Sequence, residues 1–388
     1  MITYLARSGK SHHSVTSSGD DGIICQAMHT WPDRRIQALL GIELPIIQAP
    51  MAGFAMSEMV IAVSEAGGLG SLSCALLSAD QVRAEVGMIR RRTSRPINVN
   101  FFCHRAPAID AKRELLWRQR LASYYVELGL DPKAPVPSSS RTAFDGDMCD
   151  LIVELKPEVV SFHFGLPGKE LVGRVKAAGA KILCSATTVD EARWLENEGC
   201  DAIIAQGYEA GGHRGMFLTA DISAQVGTMA LVPQVVDAVK VPVIAAGGIA
   251  DARGIVAAMA LGAAAVQIGT AYLFCAEAKV GPLHRHALRN AKDSQTALTN
   301  VLTGRPARAI VNRVIREVGP MSDLAPEFPL AAGALAPLRT KSEPIGSNDF
   351  LAMWSGQAAS LCRELPAEEL TKRLAAEALT KLKSLHPK

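Results

Sequence analysis

The 388-residue sequence predicts an α/β protein built as a TIM-type (β/α)8 barrel, and three observations carry that expectation. Short apolar runs alternate with amphipathic stretches from residue 42 onward, the pattern of repeated β-α units on a parallel sheet. Several amphipathic stretches open on a capping residue and end near a glycine. Two of the last apolar runs end in glycine-rich turns, placed where such barrels hold phosphate.

Taken in order, the strand candidates are 45–50 (PIIQAP), 69–73 (LGSLS), 96–102 (PINVNFF), 158–164 (EVVSFHF), 181–185 (KILCS), 201–206 (DAIIAQ), 242–247 (PVIAAG) and 264–269 (AAVQIG). Eight of them suggest a closed barrel. Between them, 56–66, 78–92, 168–178, 188–198 and 251–261 read as helices, with Ser78, Thr188 and Asp251 as caps and Gly67, Gly179, Gly199 and Gly262 near their ends. The stretch 104–157 is too long for one crossover and holds a polar, proline-rich piece, so an insertion follows the third strand. The expected organisation is a flexible amino-terminal extension (1–35), the barrel (36–280) and a carboxyl-terminal helical region capping its mouth (281–388).

Composition narrows the function classes. Hydrophobic residues at 48% and charged residues at 20% supply a full core. A net charge of +3, from 41 basic and 38 acidic residues, argues against a nucleic-acid partner. The eight cysteines form no Cys-x-x-Cys pair, so neither a metal site nor a disulfide framework is expected. No apolar run reaches the roughly 18–20 residues that span a bilayer, and residues 1–30 lack the apolar stretch of a signal peptide. The expectation is a cytoplasmic protein without a membrane partner.

The chemistry should sit at the carboxyl ends of the strands. In PVIAAGGIADARG a buried strand ends at Gly247-Gly248, and the following helix start near Asp251 adds partial positive charge for an anion. In AAVQIGTAY, strand eight ends at Gln267, followed by Gly269 and Thr270, which offer further amides and a hydroxyl. The bland reading of either loop is a tight turn; two at consecutive strand ends favour a phosphate site. In QGYEAGGHRG, Gln206 ends strand six, Gly211 and Gly212 let the loop bend, and His213 follows. An imidazole with an ordinary pKa of about 6.5 exchanges protons near neutrality. His104, His163, His284 and His286 are read as structural, and Arg214 as pointing to solvent. Asn98 and Asn100 share one face of their strand, with Asn100 nearer the end. Met51, in a short apolar turn after strand one, and Ser185, at the end of strand five, are further candidates for the rim. A phosphate site beside a planar-ring site and a histidine describes FMN better than a sugar phosphate.

On PIIQAPMAGF, NVNFF, SFHFGLP, SATT, QGYEAGGHRG, PVIAAGGIAD, VQIGTAYLF, TGRPAR and WSGQ, the chain resembles the nitronate monooxygenases, formerly called 2-nitropropane dioxygenases, from about residue 42 to about 375. The resemblance implies FMN, with contacts on Asn100, Gln206, Gly211, Gly248, Gln267, Ile268, Gly269 and Thr270, Ser185 and Gly212 beside them, and His213 as the catalytic histidine. It implies oxidation of an alkyl nitronate by O2 to a carbonyl compound and nitrite. Oligomeric state stays open, a homodimer included. The pocket departs from better-known members, which place tyrosines and a lysine around the nitronate; 284–313 supplies arginines, threonines and alanines instead. Two alternatives are an FMN-dependent NAD(P)H reductase of quinones or enoyl thioesters, and a non-redox phosphate-ligand barrel. Whether Trp354 and Gln357 of WSGQ reach the flavin or brace the barrel is left open.

Overall fold

A computed structural model describes residues 31–137 and 141–385. The eight predicted strands all form: β1 (Ile46–Gln48), β2 (Gly70–Ser73), β3 (Ile97–Phe102), β4 (Val159–His163), β5 (Lys181–Ala186), β6 (Ala202–Gln206), β8 (Val243–Ala246) and β9 (Ala265–Ile268). A two-residue strand, β7 (Gly212–His213), lies outside the barrel. The eight run parallel, β2 to β6 in order, then β8, β9 and β1. Leu69 closes the ring, donating to Ile46 O and accepting from Gln48 N at 3.0 Å each.

The local signals explain these elements. Ser78 forms a capping box with Gln81, while Thr188 and Asp251 accept first-turn amides of their helices. Gly67, Gly179, Gly199 and Gly262 take φ of 91°, 96°, 95° and 93°, the left-handed conformation that ends a helix. The largest core layer lies between strands and helices. A second fills the amino ends of the strands, where helix Arg35–Leu40 packs Ile36 and Leu40 against Ile47, Leu69, Val159 and Leu183. The extension expected through residue 35 therefore stops short, because Trp31 already belongs to the main core. Residues 1–30, which carry the rest of that expectation, lie outside the described residues.

The carboxyl-terminal region differs from a purely helical cap. Strands β10 (Thr296–Thr299) and β11 (Ala307–Ile310) pair antiparallel, and β11 pairs with β7, Ala307 opposite His213. The insertion after β3 joins the same unit. Helix Ala111–Glu127 buries Trp117, Leu121, Tyr124 and Tyr125 against Val301, Val314, Leu335 and Leu338. Its polar edges are matched: Trp117 Nε1 donates to Ala331 O at 3.2 Å and the Tyr125 hydroxyl to Ala334 O at 2.6 Å. Helix Ala367–Leu385 leaves this unit and packs on Ser57–Glu65 and Ala252–Ala260, completing the outer helical ring. Among the described residues no helix is long and apolar enough to cross a membrane.

Candidate active site

The carboxyl ends of the strands open into a cleft whose empty space, counted out to bulk solvent, is about 1350 Å³. Met51, Asn100, Ser185, Gln206, Gly211, Gly212, His213, Gly247, Gly248, Gln267, Gly269 and Thr270 all border it. Ile268 does not. Strand alternation turns Gln267 inward, so Ile268 faces the helices and is wholly buried there. Its carbonyl accepts from Ala49 N at 2.8 Å.

The glycine corner after β8 takes φ of 115° at Gly247 and 70° at Gly248. A Cβ on Gly247 would stand 3.0 Å from Thr228 Oγ1 and 3.1 Å from Gly207 O, so only glycine fits without displacement. The helix that follows is self-capped, because Asp251 takes the amides of Arg253 and Gly254. The expected positive helix start is thus occupied by its own carboxylate, and Gly247 to Ala250 is the part bordering the cleft.

The loop after β6 is held from three sides. The Glu209 carboxylate accepts from Thr228 N at 2.9 Å and from its hydroxyl at 2.7 Å. Arg214 is fully buried rather than solvent-facing: Nη1 donates to Gly207 O and Nη2 to Gln206 O at 2.6 Å, and Nε to Gln225 Oε1 at 2.8 Å. Burial, then neighbouring Arg308, lowers its pKa to about 10, so it stays charged at neutral pH. The third anchor is WSGQ. Gly356 N donates to Thr270 Oγ1 at 2.9 Å and Gln357 N to Glu209 O at 3.1 Å. A Cβ on Gly211 would lie 2.5 Å from Gly356 N, so the two loops touch through backbone. Trp354, Ser355 and Gly356 border the cleft, whereas Gln357 braces the loop behind it.

His213 is fixed by its backbone and its ring. Its carbonyl accepts from Gln206 Nε2 at 3.0 Å and from His163 Nε2 at 3.1 Å. Gln206 Oε1 accepts from Gly215 N at 2.7 Å, which sets the orientation of that amide. Since His163 Nε2 donates, its Nδ1 accepts from the Ser185 hydroxyl at 3.0 Å. His163, read from sequence as structural, therefore belongs to the site, where it also borders the cleft. Burial lowers its pKa to about 3. The His213 ring sits among Phe328 and Trp354, each 5.2 Å away between centroids, and Phe164 at 5.9 Å. Burial first, then Arg141, His163 and Arg305, pushes its pKa well below 6.5. Protonating either ring is disfavoured, so at neutral pH both present neutral imidazoles.

Sequence reasoning had no signal for Arg141, which lines the cleft from the polar insertion; Arg305, within TGRPAR and among the arginines of 284–313, was not singled out, and its guanidinium lies 3.9 Å over the Phe164 ring. Their place follows from tertiary packing alone.

The chain matches the family model described as nitronate monooxygenase over residues 33–377. It is 42% identical over 345 residues to a nitronate monooxygenase from Pseudomonas aeruginosa, covering 88% of this chain and 98% of that protein. Among solved structures, a nitroalkane oxidase from Streptomyces ansochromogenes superposes with a TM-score of 0.82 at 38% identity, over 91% of this chain and all of that one. FabK from Thermotoga maritima follows with a TM-score of 0.69 at 29% identity, over 92% and 99%.

Proposed function

The chain belongs to the nitronate monooxygenase family of oxidoreductases, and from that premise we propose that it oxidises alkyl nitronates with O2 to carbonyl compounds and nitrite, using FMN. The observation that carries this reading is a neutral, caged His213 facing a cleft floored by two glycine turns.

The residues present fit that cofactor. Gln267 Oε1 is a buried acceptor with no protein partner among the described residues, at a position a ring N–H of the heterocycle would satisfy. Thr270 Oγ1 accepts from Gly356 N and keeps its own proton to donate to a phosphate oxygen. Gly248, Gly269 and Thr270 would hold the phosphate; Met51, Asn100, Gln206 and Gln267 would border the ring. When bound, FMN supplies electron transfer between substrate and O2.

The protein's part is to bind, orient and exclude water. Arg141 and Arg305 give the pocket a positive field that favours an anionic substrate. Phe102, Phe164, Phe328 and Trp354 surround the His213 ring on one side of the cleft. His213 hydrogen-bonds a nitro oxygen, or takes the α-proton when a neutral nitroalkane binds.

The test is to mix purified protein anaerobically with ethylnitronate, follow the flavin spectrum, then admit oxygen and assay nitrite. Flavin reduction followed by oxygen-dependent nitrite supports the proposal. A yellow protein indifferent to nitronates but bleached by NADH or NADPH points to the reductase instead. A colourless protein that does not bind added FMN overturns both.

A further inference from the structure

We propose that Thr303 is a positioning residue that sets the tautomer of His213, so that Nδ1 faces the cleft as a proton acceptor and the enzyme accepts neutral nitroalkanes as well as nitronates. The inference rests on the reading of the site as one for nitro compounds.

The geometry is a short relay. His213 Nε2 lies 3.0 Å from Thr303 Oγ1, and Thr303 Oγ1 lies 3.4 Å from the Arg305 carbonyl. Thr303 is 2% exposed, so its hydroxyl finds its partners within the protein. That hydroxyl has one proton and two neighbours. If it points at Nε2, the Arg305 carbonyl loses its donor and the ring carries its proton on Nδ1. If it points at the Arg305 carbonyl, Nε2–H donates to Oγ1 and both bonds are made. Buried polar groups favour the arrangement that satisfies more of them, so the second orientation is preferred.

The consequence falls on the other ring nitrogen. Nδ1 makes no hydrogen bond to any described residue and is not among the buried unpartnered atoms, while the ring itself borders the cleft. It is left as a lone pair open to a ligand. The depressed basicity of His213 keeps that lone pair unprotonated at neutral pH.

With a neutral nitroalkane the step balances without an oxidant. The Cα–H bond breaks, its proton goes to Nδ1, and the electron pair stays on the substrate as the nitronate. The imidazolium then holds two N–H groups, one toward Thr303 and one toward the newly formed anion, until the proton passes to water. A nitronate supplied as such skips this transfer, so the two substrates separate tautomer control from everything else in the site.

The experiment compares wild type, Thr303→Val and Thr303→Ser on nitroethane and on ethylnitronate, and records the ring ¹⁵N shifts of His213 in the FMN-loaded protein, assigned by difference with His213→Gln. The expected result is an Nε2-protonated ring in wild type. In Thr303→Val, nitroethane turnover should fall about 10²-fold further than ethylnitronate turnover, the size of a lost general base. Thr303→Ser should restore most of that ratio. An Nδ1-protonated ring in wild type, or equal losses on both substrates in Thr303→Val, overturns the proposal. Should wild type turn over neither substrate, the proposed activity fails, and the ¹⁵N tautomer decides the role of Thr303 by itself.

Discussion

Replacing His284 by glutamine should flatten the acid sensitivity of the fold by about 2 kcal/mol between pH 7 and pH 5. His284 is 2% exposed, its Nε2 donates to the Trp354 carbonyl at 3.0 Å, and its ring meets Phe54 edge-on at 5.5 Å. Burial, against the opposing hydrogen bond, holds its pKa at about 4, below the ordinary 6.5. A folded value beneath the unfolded one means the unfolded chain binds the extra proton. The contribution is therefore fully present above pH 6.5 and is lost as pH falls toward 4. At pH 5 the unfolded imidazole is almost wholly protonated and the folded one almost wholly neutral, which separates the states by about 2 kcal/mol for this one group. Glutamine keeps an N–H for the Trp354 carbonyl and removes the titration. The assay is urea unfolding of both proteins at the two pH values, compared as differences so that the fixed cost of the substitution cancels. If the two proteins lose the same stability on acidification, within about 0.5 kcal/mol, His284 is not held neutral and the reasoning fails.

Three further outcomes follow from the site. Because the pKa of His213 is pushed well below 6.5, a rate that needs the neutral ring should show no acidic limb near pH 6.5 in kcat/KM; an inflection there that disappears in His213→Gln would contradict it. Arg214→Met should lower unfolding stability by about 3 kcal/mol, since the carbonyls of Gln206 and Gly207 lose their charged donor; urea titration reads this, and a change below about 1 kcal/mol would mean the loop repairs itself. Gly211→Ala drives a methyl into Gly356 N and Ser355 C, parting the two loops that meet at Thr270. The expected result is weaker FMN retention on gel filtration with helical circular dichroism intact, and retention equal to wild type would refute it.

The barrel was legible because parallel strands covered on both faces read as continuous apolar runs, and turn glycines mark where each helix gives way. The antiparallel strands were not: TALT and ARAI are four residues each and mix polar with apolar, and ARAI pairs with a two-residue strand more than 90 positions earlier. Within the site, the glycine turns and His213 announced themselves by lying at strand ends. Period-two alternation separates Gln267, which borders the cleft, from Ile268, whose side chain turns to the helices. Arg214 and His163 looked ordinary in sequence, and their roles came from what the fold stacks behind them, a pair of loop carbonyls for one and the His213 carbonyl for the other. Thr303 and Trp354 open the motifs TGRPAR and WSGQ, yet they reach His213 from 90 and more than 140 positions away, so the motifs marked them without showing what they touch.

The outer helix Ala367–Leu385 has a consequence for how the chain is made. The last barrel strand leaves the ribosome about 100 residues before the helix that covers the face between Ser57–Glu65 and Ala252–Ala260. At the usual rates of translation that face waits roughly 5–20 s for its partner. A nascent barrel at that stage has its strands and a missing stave, so this seam is where a chaperone would engage and where a stalled chain would aggregate.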